Sequence, residues 1–275
     1  MSTPAGPAAP DAALAALQAV AFGESPGQWP LPVATTPVER WLRAVGAGGQ
    51  GHYASAHTEL SALHRGQSSG PLVSLAFSTR ASLLRQLGGH RQARGWDGRA
   101  LALAGGHAEA RIDALVGLAA DALGMGRFAA SATLLSRARA VLDSDRDVPP
   151  RVPVRVEWVS AELAMSIGDG DAAVRHARLG VELAQSAGNS ARHRVKSDVV
   201  LAAALCSSGR LDDAREIADR SLATAGDLGL VPLRWALASL LAGIGSTSHT
   251  VAQVQEIKER AADTVRRRGG TWSDG

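Results

Sequence analysis

From Val38 to Arg268 apolar positions return every three to four residues, broken by short polar stretches, and no segment alternates with the period of two that marks a strand. Within this span one arrangement recurs. An apolar stretch runs into a glycine, then come one spacer, a bulky residue, two polar or small residues, a small residue and a second striped stretch. The copies are Gly51-His-Tyr53-Ala-Ser-Ala56, Gly88-Gly-His90-Arg-Gln-Ala93, Gly126-Arg-Phe128-Ala-Ala-Ser131, Gly168-Asp-Gly170-Asp-Ala-Ala173 and Gly209-Arg-Leu211-Asp-Asp-Ala214. Their glycines lie 37, 38, 42 and 41 residues apart. Alanine stands seven residues before each (Ala44, Ala81, Ala119, Ala161, Ala202), and a weaker sixth copy turning at Gly245 has Ala238 there. A glycine accepts the positive φ that ends one helix, and small residues on both sides of it let the paired antiparallel helices approach closely. The pattern predicts an all-α chain of five to six helix pairs, stacked because no pair buries its apolar face alone.

The ends differ from this core. Seven of the 12 prolines fall within the first 37 residues, so residues 1–36 are expected to be a tail. Its exception is Asp11 ahead of Leu14, Leu17 and Val20/Ala21, which predicts a short helix over 11–22. That helix is expected to rest on the first repeat; the alternative is a recruited helix that docks a partner or the protein's own groove. The repeat domain spans 37–268. Its last helix, Val251–Arg268, carries Val254, Ile257, Ala261 and Val265 on one face and suits a cap, with Arg266 to Arg268 in the turn where cations favour the helix dipole. Gly269-Gly270 stops it, leaving 269–275 as a second expected tail.

Composition adds little to the fold and more to the setting. The chain is 45% hydrophobic, 20% charged and only 4% aromatic, with 53 alanines, so its core is built from small residues. The pI of about 9.7 reflects arginine, since Lys196 and Lys258 are the only lysines and the formal net charge is +3. One cysteine, Cys206, excludes an intramolecular disulfide and fits a reducing compartment. No run approaches eighteen apolar residues and no basic segment precedes Ala12–Phe22, so neither a membrane span nor a secretory signal is expected, and the expected location is cytoplasmic.

The repeat resembles the tetratricopeptide family, whose pattern has a small residue in the first helix, a glycine before the second, an aromatic two residues on and alanine three beyond that. The resemblance covers Val38 to Arg268 and is strongest in GLAADALGMGRFAASATLLSRARAVL and LAAALCSSGRLDDAREIADRSLATAGDLG. It departs from the family in a period nearer forty than thirty-four, in the missing terminal proline, and in a tryptophan one position late at Trp41, Trp158 and Trp235. Such long repeats are similar to arrays attached to large bacterial transcription activators. The resemblance implies a right-handed solenoid, drawn out as a curved rod, whose inner helices line a concave groove for a protein or peptide partner. Carried over by register, the groove positions are Arg155, Trp158, Glu162, Met165 and Ser166 in the fourth copy, and Lys196, Val199, Ala203, Cys206 and Ser207 in the fifth. The second copy supplies Leu75, Ser78, Ser82, Arg85 and Gln86, and the third Asp113, Val116, Ala120, Leu123 and Gly124. The partner-binding candidates are Arg85, Arg155 and Lys196 for carboxylates, with Trp158, Glu162 and Met165 beside them. Packing is the competing reading for Trp158, which shares its register with Trp41, Trp235, Val116 and Val199. The position where co-chaperone clamps need asparagine holds Val45, Ser82, Ala120, Glu162 and Ala203 instead, which argues against a chaperone-tail clamp.

Chemistry is harder to find. The eight histidines show no i, i+4 pair and no H-E-x-x-H, and no G-x-x-x-x-G-K-[ST] occurs, so no metal, cofactor or catalytic residue is assigned and the chain is expected not to be an enzyme. Gly46-Ala-Gly-Gly-Gln-Gly51 follows a helix rather than a strand and is expected to be the turn of the first repeat, not a phosphate loop. Cys206 has no neighbour in sequence that would activate it and is expected to be inert. Two other roles stay open: a regulatory module of a transcription system, and a nucleic-acid contact through Arg192-His-Arg194-Val-Lys196 with Arg151 and Arg155. Against the second stands the scarcity of stacking aromatics, with one Tyr and three Phe.

Overall fold

The computed structural model describes residues 10–145, 147–186 and 190–273, which fold into thirteen helices with no strand among the described residues. A leading helix, α1 (Pro10–Phe22), precedes six antiparallel pairs. The pairs are α2 (Pro37–Gly49) with α3 (Tyr53–Gly66), α4 (Pro71–Arg85) with α5 (His90–Leu103), and α6 (Ala108–Gly124) with α7 (Phe128–Ser144). They continue with α8 (Arg151–Ser166) and α9 (Gly170–Gln185), α10 (Ala191–Ser207) and α11 (Leu211–Asp227), and α12 (Val231–Ile244) and α13 (Val251–Arg267). Successive inner helices α2, α4, α6, α8, α10 and α12 neighbour one another, and each outer helix up to α11 neighbours the inner helix that follows it or bridges to it, the stacking of an α-solenoid.

The six glycines picked out by the pattern all turn between the helices of a pair with φ between 71° and 85°. The six alanines ahead of them are fully buried, as are Ala56, Ala93, Ser131, Ala173 and Ala214 behind the first five. The sixth copy is therefore a complete repeat. Ala161→Leu is expected to lower stability by about 1–3 kcal/mol through overpacking. Ala130→Leu on the exposed side of α7 is expected to stay within about 0.5 kcal/mol; equal midpoints in urea for the two variants would contradict the shared small-residue register.

The first helix of the pairs, α2, starts at Pro37. Thr36 caps α2, its Oγ1 accepting from Glu39 N, while Glu39 Oε2 accepts from Thr36 N at 2.8 Å. Donors from the Thr36 and Thr35 backbones and the Thr35 hydroxyl hold the Glu39 carboxyl down to about 2.

Instead of an open curved rod, the solenoid closes on itself. Val265 of α13 shares one core with Leu17 and Val20 of α1, Trp41 and Val45 of α2, Leu60 of α3 and Leu83 of α4. Ala54 N donates to Arg268 O at 3.0 Å, and Arg268 Nη1 donates to Gln50 O at 2.7 Å. The expected C-terminal tail takes part in this closure: Trp272 packs on Trp235 with ring centroids 4.3 Å apart, and Ser273 N donates to Leu87 O at 2.8 Å. At the other end, α1 packs mainly on α2. Residues 23–36 then run as a strap, with Leu31 and Ala34 buried and Gln50 Nε2 donating to Pro26 O and Gln28 O. Prolines bar this segment from a helix without preventing it from packing. Residues 1–9 and 274–275 of the expected tails lie outside the described residues.

Closure also explains the glycine-rich stretch. Gly46, Gly48 and Gly49 belong to the last turn of α2 rather than to a turn between helices, because three elements press on that turn. A Cβ on Gly46 would come 2.7 Å from Val20 Cγ1 of α1, one on Gly48 2.5 Å from Leu83 Cδ2 of α4, and one on Gly49 2.9 Å from Arg192 Cδ of α10.

Candidate functional site

The inner helices carry most of the buried charge. At one end Arg85, in the last turn of α4, reaches Asp97 of α5 at 2.9 Å, Gly117 O of α6 at 3.1 Å, and Asp121 of α6. Both carboxylates are fully buried. Burial opposes the charge on Arg85, yet Asp97 and Asp121 raise its pKa overall. Desolvation outweighs Arg85 at the acids, pushing Asp97 up to about 7 and Asp121 upward as well. Arg85 is thus an internal counter-ion, which the register alone placed on a partner-facing surface.

The centre is formed by α6, α8 and α10. Arg155 Nη1 lies 2.8 Å from Asp113 Oδ1, and Arg151 pairs with Glu109 and stands 3.9 Å from Asp113. Lys196 Nζ is 3.4 Å from Glu162 Oε1. Trp158 is half-buried: its Nε1 donates to Ser197 Oγ at 2.8 Å, its ring stacks on His193 with centroids 5.3 Å apart, and Lys196 Nζ sits 5.9 Å from its centroid. Trp41 makes the same kind of bond to Thr79 on the next inner helix at 3.0 Å, so both indoles tie consecutive repeats together. Met165 is half-buried against the core shared by α8 to α11. The structure therefore brings Arg155, Trp158, Glu162, Met165 and Lys196 onto neighbouring inner helices, while the Arg85 guanidinium is engaged by Asp97 and Asp121.

Arg192 and His193, weighed only as part of a basic cluster in the sequence, turn out to link α1 to this surface. Arg192 Nη2 donates to Ala21 O at 3.3 Å and Nη1 to Val45 O at 3.5 Å, capping the C-terminal turns of α1 and α2. Burial, with Arg155 and Arg151 nearby, lowers the Arg192 pKa to about 10. His193 is buried between Trp158 and Phe22 of α1, and burial together with Arg192, Arg151 and Arg155 holds its pKa well below the usual histidine range, so it is neutral at physiological pH. Arg194 pairs with Glu24, 2.9 Å from Nη1 to Oε1. Every cation of the cluster considered for nucleic acid thus has a partner within the chain.

Among the described residues no three His, Cys, Asp or Glu side chains converge as metal ligands, and no helix is long and apolar enough to cross a membrane. Cys206 is half-buried at the end of α10. A cavity of about 230 Å³ between α9, α10 and α11, bordered by Val181, Arg194, Asp198 and Thr224, falls below the ~300–1,000 Å³ typical of small-ligand pockets. The inner face is a surface of paired charges with an indole at its centre.

Fold and inner face together define a tetratricopeptide-like helical-repeat solenoid. No protein-family model and no curated protein matches the sequence. Among solved structures the chain is similar to a Rap protein in a crystal structure complexed with competence and sporulation factor. The TM-score is 0.60 and the identity 12%, over 86% of this chain and 66% of that one, so this chain spans just under two thirds of its length. A tetratricopeptide repeat protein from Parabacteroides merdae aligns at 14% identity and a TM-score of 0.45, over 82% of this chain and 84% of that one.

Proposed function

We propose that the chain is a non-enzymatic, cytoplasmic interaction scaffold that binds a peptide or partner protein through the inner face of α8 and α10, around Arg155, Trp158, Glu162, Met165 and Lys196. The observation that carries this reading is the Lys196–Glu162 ion pair, 3.4 Å long with about a third of each side chain exposed, beside the Trp158 indole. Exposed pairs are worth only about 0–1 kcal/mol each, so a ligand that supplies its own charges exchanges partners at small cost, while the indole offers apolar contact area. A Rap protein of the same fold, captured with competence and sporulation factor, supports the reading by analogy of fold.

The test is a charge swap. Glu162→Lys with Lys196→Glu keeps an internal ion pair but reverses the polarity presented to a ligand. Capture from lysate of the native host, with and without nuclease, is expected to lose a protein recovered near one to one by the parent, with the melting temperature changed by no more than a few degrees. Unchanged capture by the swapped chain would remove this face from the assignment, and nuclease-sensitive, salt-labile capture would transfer the role to nucleic acid.

A further inference from the structure

The leading helix occupies a seat whose features read as recognition of a helix end. Leu17, Val20 and Ala21 are its buried side chains. Val20 fits the space that Gly46 leaves open. Phe22 lies 5.5 Å from the Trp41 ring and 6.3 Å from His193, with the Arg151 guanidinium 4.4 Å above its own ring. Past the helix, Gly23 O accepts from Ala191 N at 3.2 Å and Glu24 pairs with Arg194. Among the described residues Arg192 has no carboxylate partner, and its donors go to the carbonyls that end α1 and α2. Arg192 and Arg194 therefore stand at a helix C-terminus that brings one acid, Glu24, while Arg151 above Phe22 is paired with Glu109. That charge arrangement favours a helix ending in negative charge. Ala21 and Phe22 of its last turn meet Arg192 and His193 of α10, while most of the helix's contact is with α2.

We propose that this seat is a binding site for a partner's helix, one that presents the spacing of Leu17-x-x-Val20-Ala21-Phe22 and a carboxylate two residues beyond its aromatic, and that α1 is the tethered competitor holding the site in the partner's absence. The proposal rests on the scaffold reading for its function and not for its geometry. Seating a partner helix displaces α1 and puts the partner's aromatic in the place of Phe22 on His193, whose other face carries Trp158, so the seat borders the inner face directly.

The probe is a fluorescein-labelled peptide of residues 10–25, read by anisotropy against the full chain and against the full chain carrying Val20→Asp and Phe22→Ala. A short tether gives a covalently linked helix an effective concentration of about millimolar. The substituted chain, its seat empty, is expected to bind the peptide about tenfold or more tightly than the parent, and a peptide with Phe22→Ala and Glu24→Arg is expected not to bind. A substituted chain that keeps its helical circular dichroism and cooperative melt yet ignores the peptide overturns the proposal. Should that chain fail to fold, hydrogen exchange in the parent decides: α1 amides about tenfold or more less protected than those of α2 and α10 support a displaceable helix, and equal protection overturns it. The Glu162/Lys196 swap leaves the seat untouched, so peptide binding that survives while lysate capture is lost, or the reverse, tells the two readings apart.

Discussion

An Arg85→Met chain is expected to melt about 10 °C below the parent at pH 8 and to recover part of that loss at pH 5. Removing one member of a buried ionic cluster costs about 3–5 kcal/mol because the remaining charges are left uncompensated. For a chain of this size, each kcal/mol moves the midpoint by about 2–4 °C. Here two buried acids, Asp97 and Asp121, share the single guanidinium, with His90 from α5 and Arg155 from α8 as the other charged or titratable groups nearby. The sign follows from the raised pKa. Asp97, lifted by burial to about 7 from its usual value near 3.8, holds a proton in the folded chain that the unfolded chain releases. Its stabilising protonation is complete below the unfolded value and is lost as pH rises through about 7. Without Arg85 both acids shift further upward, so the deficit is largest in alkali and shrinks in acid. Thermal melts at the two pH values check this; a deficit larger at pH 5 than at pH 8 would contradict a buried acid pair.

Two glycines inside helices are expected to respond to alanine with opposite signs. Gly117→Ala places a Cβ 2.2 Å from Asp97 Oδ2 in the same buried cluster, where neither the carboxylate nor the Gly117 carbonyl bound to Arg85 has room to retreat. The expected loss is about 1–3 kcal/mol. Gly95, on the exposed side of α5, meets nothing within 4 Å, and alanine there restores helix propensity for an expected gain of about 0.5–1 kcal/mol. Urea midpoints moving in opposite directions at an unchanged m-value are the expected result. A gain for both would mean that α5 and α6 stand farther apart than the buried cluster requires.

The repeat was legible because its determinants are local. A positive-φ glycine and a small residue two helical turns earlier are fixed by a single helix pair, and all six copies obey them. Register also placed Asp113 and Arg155 at the same position of neighbouring repeats, and the two meet at 2.8 Å; what register leaves open is whether such a pair faces a ligand or each other. Arg85 carried the same ambiguity, settled by acids on two other helices. The helix over 11–22 and its rest on the first repeat could be read from the sequence, but its link to Arg192, some 170 residues away, could not, because no periodicity spans that distance. For the same reason the glycines at 46–49 resembled a loop. Each makes room for a different, distant element, so their spacing carries no helical signature.

The seating of the last repeat on the first changes what kind of object the array is. In an open solenoid each repeat touches only its neighbours, stability grows as a sum along the row, and repeats are gained or lost at either end with little consequence. Here the contacts from Arg268 to Gln50 and from Ser273 to Leu87 join the two ends of the chain, as the last strand of a barrel joins the first. The number of repeats is then tied to these contacts, which an array with one repeat more or fewer would have to remake. Fraying of the last repeat then costs contacts of the first, so the two ends open together rather than independently.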